Sequence, residues 1–128
     1  MAATATAVAM AVARATSPTS TTSSVAVAKN GDVVVAYTAN PKKGRYDIHV
    51  VTVKGEKVGK PRKITNSPDD AMAPSLSSDG RDVWLAWYEW RMMGDKSRDR
   101  EVFAAKRKGG GWSKAVQVSP TNVKSYED

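Results

Sequence analysis

The chain has 128 residues, 20 Lys and Arg against 13 Asp and Glu for a formal net charge of +7, 41% hydrophobic residues, no cysteine and one histidine. That is enough apolar material for one ordinary domain or a fragment of a larger one. Without cysteine there is neither a disulfide framework nor a thiolate zinc site, and the lone His49 excludes a histidine-rich metal centre and most Ser-His-Asp or Cys-His arrangements within one chain.

Residues 1–24 are low in complexity, rich in Ala, Thr and Ser, with Val8, Met10 and Val12 alternating and Arg14 the only charge. Three readings stay open: an outer strand of a blade, a degenerate secretory signal lacking a basic leader, and a disordered segment. The strand reading rests on phase, since Ser17-Pro18 precedes Gly31 much as Ser67-Pro68 precedes Gly80. No segment approaches the ~20 apolar residues of a membrane span.

From there the chain says the same thing twice, in a first repeat over residues 25–74 and a second over 75–128. Val33-Val34-Val35-Ala36-Tyr37 returns as Val83-Trp84-Leu85-Ala86-Trp87, Val58-Gly59-Lys60-Pro61 as Trp112-Ser113-Lys114-Ala115, and Ile64-Thr65 as Val118-Ser119. The offset is 50 in the first pair and 54 in the others, and it grows where the stretch Ala39 to Arg45 is replaced by the longer Glu89 to Asp99. A period near fifty with strand-like content marks a repeat architecture, and length variation in one loop marks a binding face.

Each repeat breaks into four short runs. In the second these are Ser75 to Ser78, Val83 to Tyr88, Arg100 to Arg107 and Trp112 to Ser119. Asn30-Gly31, Gly55, Asp79-Gly80 and Gly109-Gly110-Gly111 supply the turns, and Asn-Gly and Asp-Gly give the positive φ of tight hairpins, so antiparallel neighbours are expected. Val83, Leu85 and Trp87 point to one face and Trp84, Ala86 and Tyr88 to the other. Both sets are apolar, which predicts a strand covered on both sides. Four-stranded sheets packed face to face around an axis do this, and the fold expected is all-β, with about two antiparallel four-stranded β-propeller blades per chain.

The pattern Pro74-Ser75-Leu76-Ser77-Ser78-Asp79-Gly80, Val83 to Trp87, Gly110-Gly111-Trp112-Ser113-Lys114 and Val116 to Ser119 resembles the blade repeats of sialidase-like and related bacterial β-propellers over residues 25–128. Ser77, Asp79 and Trp84 match the spacing of the sialidase Asp-box, with Gly80 one position early and the motif between the first and second strands. The arginine triad, tyrosine nucleophile and acid of a sialidase have no matching positions, so the resemblance implies the fold and not the activity. Two blades do not close a ring, and small two-blade lectins that trimerise resemble this organisation; self-association is therefore expected, a trimer giving six blades ahead of a dimer giving four.

On the usual binding face of such a fold lie Thr38 to Tyr46, Asn66 to Ala73 and Glu89 to Asp99. Trp90 there can stack on a sugar or base, and Arg91 and Arg98 can hold a carboxylate or phosphate. The ligand-binding set is Trp90, Arg91, Arg98, Asp99, Arg45 and Tyr46; packing of Trp90 on a neighbouring blade, with local pairing of the charges, is the competing reading. Trp84, Trp87, Tyr37 and Trp112 read as packing residues and His49 as a strand residue, while Asp47 and Glu101 align across the repeats and suggest a structural hydrogen bond. Asp69-Asp70 is too small a cluster for a metal, and Gly55 to Pro61 is a hairpin that only mimics a phosphate loop. No cofactor motif is present.

The basic excess favours acidic partners in general. It is spread, however, ten basic against five acidic residues over 1–74 and ten against eight over 75–128, the pattern of a solvated face, which argues against nucleic acid. The function expected is a non-enzymatic binding or scaffold module, assembled by self-association, for an anionic or carbohydrate ligand. The alternative is a truncated propeller glycoside hydrolase with paired carboxylates such as Glu89 and Asp99 as acid and base.

Overall fold

β-Branched and aromatic residues dominate the longest runs of the chain, and these become its longest strands. A computed structural model describes residues 20–42, 45–92 and 98–119. Among them lie ten strands, no helix, and two antiparallel sheets, neither closed on itself. The first sheet holds β1 (Ser20–Val27), β2 (Val33–Lys42), β3 (Arg45–Lys54), β4 (Lys57–Val58) and β5 (Arg62–Lys63); the second holds β6 (Asp70–Ser78), β7 (Val83–Met92), β8 (Arg98–Lys108), β9 (Gly111–Trp112) and β10 (Val116–Gln117). Each is a meander of three long strands, with a fourth line split into two short pieces on the outer edge of β3 or β8.

The turns follow from local chemistry. Gly31 and Gly80 take φ of +93° and +87°, and Gly55 and Gly109 take +62° and +56°, values that a side chain disfavours. Asn30 Oδ1 accepts from Asp32 N–H at 3.0 Å and Asp79 Oδ1 from Asp82 N–H at 2.7 Å, so both hairpins are closed by an amide or carboxylate at equivalent places.

The fourth run is not one strand. Between β4 and β5 stand Gly59, Lys60 and Pro61, and proline offers no N–H to the ladder; a Cβ on Gly59 would meet the Thr52 carbonyl at 3.0 Å. Backbone bonds on either side of the break repeat between the sheets: Gly59 N–H to Thr52 O at 2.9 Å and Ser113 N–H to Lys106 O at 2.8 Å, then Ile64 N–H to Ile48 O at 2.8 Å and Val118 N–H to Val102 O at 2.7 Å. The duplication read from the residues is thus a duplication of hydrogen bonds.

One core lies between the sheets. Val34, Ala36, Ile48 and Val50 of the first meet Leu76, Val83, Leu85, Trp87, Phe103 and Ala105 of the second. Polar links fix the sheets to each other. Arg107 in β8 pairs with Asp32 in the first hairpin at 2.9 Å, Ser24 Oγ accepts from Leu76 N–H at 2.9 Å, and Asp70 Oδ1 accepts from Tyr46 N–H at 3.0 Å. The far face of the first sheet, Val33, Val35, Tyr37, Val51 and Val53, is also buried. Both faces of β2 are therefore covered. β7, the strand expected to be covered on both sides, is covered on one: Val83, Leu85 and Trp87 are buried, whereas Trp84, expected to pack, is exposed and Ala86 and Tyr88 are half-buried, because among the described residues no second sheet lies on that face.

Candidate functional site

The residues expected to form a binding loop belong largely to strands. β2 runs on to Lys42 and pairs with Arg45, and β7 runs on to Met92 with Trp90 opposite Arg100, Arg91 opposite Asp99 and Met92 opposite Arg98. Continued pairing satisfies backbone groups that a loop would leave to water. Asp70 to Ala73 likewise belong to β6, with Ala71 fully buried and Ala73 at φ +56° beside a bulge. Residues 43–44 and 93–97, the tips of both hairpins, and the side chains of Arg91 and Arg98 lie outside the described residues, as do residues 1–19 of the N-terminal segment.

Alternation then divides the expected set. Residues opposite each other in a ladder share a face, and neighbours along a strand do not. Trp90 stands on the outer face of the second sheet, edge-on to Tyr88 at 5.9 Å, with the Arg100 guanidinium 5.4 Å from its ring centre and 5.7 Å from that of Tyr88. Asp99 points the other way, fully buried, its Oδ1 accepting Arg100 N–H at 2.9 Å. Arg45 pairs with Asp47 at 3.5 Å, and the Tyr46 backbone ties to Asp70. Trp90 and Asp99 thus face opposite sides of one sheet and share no pocket.

What the fold does bring together is a cleft between the sheets. A cavity of about 390 Å³ is bounded by Ile64 to Ser67 from the link between β5 and β6, by Trp87, Glu89 and Phe103 from the inner face of the second sheet, and by Ser113 to Ala115 from the break in its outer line. Its size falls in the small-molecule range of about 300–1,000 Å³. Trp87 and Phe103 are cross-strand partners whose rings lie stacked 6.2 Å apart at 15°, giving the cleft an aromatic wall. Glu89, only 4% exposed, follows Trp87 by two positions on the same face and takes the indole N–H on Oε2 at 3.0 Å. Ser67 closes a local turn, donating to Asp69 Oδ2 at 3.3 Å and accepting Asp69 N–H at 3.1 Å, while Asn66 and Lys114 stand exposed at the mouth. The cleft therefore pairs an apolar ring surface with an acceptor at its base and donors at its rim.

The sequence pattern puts Trp87 in the core, Glu89 in a loop and Asn66 on the expected binding face, and gives no sign that Phe103 or Lys114 lines a site. The signal for Glu89 was its parity with Trp87, since strand alternation carried one position pair further puts both on one face. The carboxylate pair Glu89 and Asp99 is split in role, because Asp99 is 0% exposed and only Glu89 lines the cavity. Among the described residues no cluster of three or more His, Asp or Glu is arranged to hold a metal, and no helix is long and apolar enough to cross a membrane. Comparison with family models, curated proteins and solved structures found no match.

Proposed function

We propose that the chain is a non-enzymatic, self-associating binding module built of two propeller-type blades, whose inter-sheet cleft takes a neutral saccharide. The observation that carries this reading is the pairing of the Trp87–Phe103 ring wall with the Glu89 carboxylate in one cavity. A sugar ring offers an apolar C–H face, which aromatic surface receives, and hydroxyls that both donate and accept. Glu89 suits a hydroxyl donor, and the Asn66 amide and Lys114 ammonium suit hydroxyl acceptors. An anion would meet the Glu89 charge in a poorly solvated site, so of the two ligand classes expected from the sequence the cleft favours the uncharged one. Binding is favoured over hydrolysis because a glycosidase needs two carboxyls across one pocket, and Asp99 does not line this one.

The test is a titration of tryptophan fluorescence with neutral mono- and disaccharides, beside acidic glycans, at low and high salt. The expected result is saturable binding of a neutral sugar that salt leaves unchanged, and its loss in Glu89→Gln with the melting temperature retained. Binding of acidic glycans alone, weakened by salt and abolished by Arg91→Ala with Arg98→Ala, would overturn the cleft and return the site to the hairpin tip. Absence of saccharide binding at millimolar concentration would overturn the reading altogether.

A further inference from the structure

The two sheets are equivalent in sequence and unequal in cover. Val34, Ala36 and Ile48 of the first sheet are 0% exposed and Val50 is 3% exposed, because the second sheet lies on them. Their repeat equivalents are Trp84, Ala86, Val102 and Ala104. These four again share one face, with Ala86 opposite Ala104, Val102 opposite Tyr88 and Trp84 opposite Lys106. Yet Trp84 is 44% exposed, and Ala86, Tyr88, Val102 and Ala104 are only half-buried. An apolar surface stands at positions that the described residues leave uncovered, and such a patch marks an interface.

Two cations of this face, Arg100 and Lys106, are already engaged. Arg100 lies over Tyr88 and Trp90, and Lys106 lies 5.7 Å from the Trp84 ring centre and 3.6 Å from Asp82 Oδ2. Its middle is thus apolar, framed by cations held at either end of β8.

We infer that this outer face of the second sheet docks on the same face of a second copy of the chain, about a two-fold axis. The inference rests on the self-association proposed above and specifies its geometry. The occupant follows by contrast with the interface inside the chain. There, a face of the Val34 type is covered by a face of the Val83, Leu85 and Trp87 type. The equivalent of that covering face in the first sheet is Val33, Val35 and Tyr37, which is buried and therefore not offered to a neighbour. Head-to-tail addition lacks its receiving surface, and what the exposed face can meet on another copy is itself. A self-complementary contact of this kind closes at two copies, whereas head-to-tail contacts build rings or filaments.

The absence of cysteine makes the test clean. Ser75, Ala86 and Ala104 form a row across the sheet by register, so Ser75→Cys, Ala86→Cys and Ala104→Cys, each alone, are treated with a short bis-maleimide and followed by sedimentation equilibrium. The expected result is a dimer that at least one single-cysteine variant traps covalently, because residues beside a two-fold axis meet their own copies. Trp84→Glu, at an exposed position, should weaken the dimer at least about tenfold while leaving the monomer's melting intact. Oligomers that no single-cysteine variant traps and that Trp84→Glu leaves unchanged would overturn the two-fold face and keep self-association. A monomer at all concentrations would overturn both, and trimers or higher rings would restore head-to-tail closure.

Discussion

The hydroxyl of Thr65 donates to Asp47 Oδ1 at 2.9 Å and accepts Ile48 N–H at 3.1 Å, and all three groups are buried. The second sheet repeats the arrangement with Ser119, whose hydroxyl donates to Glu101 Oε2 at 2.6 Å and accepts Val102 N–H at 2.9 Å. The expected hydrogen bond at the start of the third strand exists in both halves. In each, a residue just past the split outer line satisfies a buried acid and an edge amide together.

Thr65→Val keeps the shape of this link and removes both of its bonds, leaving a buried carboxylate and a buried N–H short of a partner. A loss of about 1–3 kcal/mol is expected. Urea unfolding should show it as a lower midpoint with the slope unchanged, which marks a stability change rather than a change in the unfolded chain.

The Asp32–Arg107 pair joins residues of different sheets at 2.9 Å, both side chains 11% exposed. Asp32 also accepts from Asn30 Nδ2 at 3.3 Å and lies 3.8 Å from Lys54 Nζ, so it keeps partners when Arg107 is lost. Arg107→Gln should therefore cost about 1–3 kcal/mol, between the values for exposed and fully buried pairs. The loss should persist in 0.5 M NaCl, about ionic strengths that screen exposed pairs, and thermal melts at both salt concentrations measure it.

His49 stacks on Tyr37 with ring centroids 5.7 Å apart. Burial lowers its pKa below the ordinary value, and Lys63 adds to the lowering, against an opposing pull from Asp47. The unfolded chain then binds more protons than the folded one between the depressed pKa and about 6.5, so stability is full above that window and falls as pH drops through it. Melting temperatures of wild type and His49→Gln from pH 8 to pH 5 should diverge, the wild type losing the more. Proton NMR of the single imidazole reads the folded pKa directly.

Gly31→Ala places a Cβ in open space but at φ +93°, whereas Gly110→Ala meets nothing within 4 Å and carries no positive φ. The first should cost about 1–2 kcal/mol through the backbone alone and the second close to nothing. Equal midpoints in chemical denaturation would contradict the assignment of the strained turn.

The turns, the paired acids and the repeat offset were legible because each depends on residues close in sequence or on one half copying the other. The length of the central hairpins was not. Thr38 and Glu89 are polar and read as loop, yet both are buried in ladders because the opposite sheet covers them. Nor could the sequence divide Trp90 from Asp99, since their separation onto two faces depends on the pairing of β7 with β8. The Asp32–Arg107 link joins positions 75 apart, a distance over which no local pattern speaks.

The split outer line has a consequence for how these molecules can meet. A continuous outer strand would expose a row of free backbone groups able to recruit a strand from any neighbour. Here β4 and β5 are two residues each, interrupted by Pro61, and Lys57, Lys60, Arg62 and Lys63 are exposed along them. Strand-by-strand growth, the route to fibres, is denied a template on that side of the molecule.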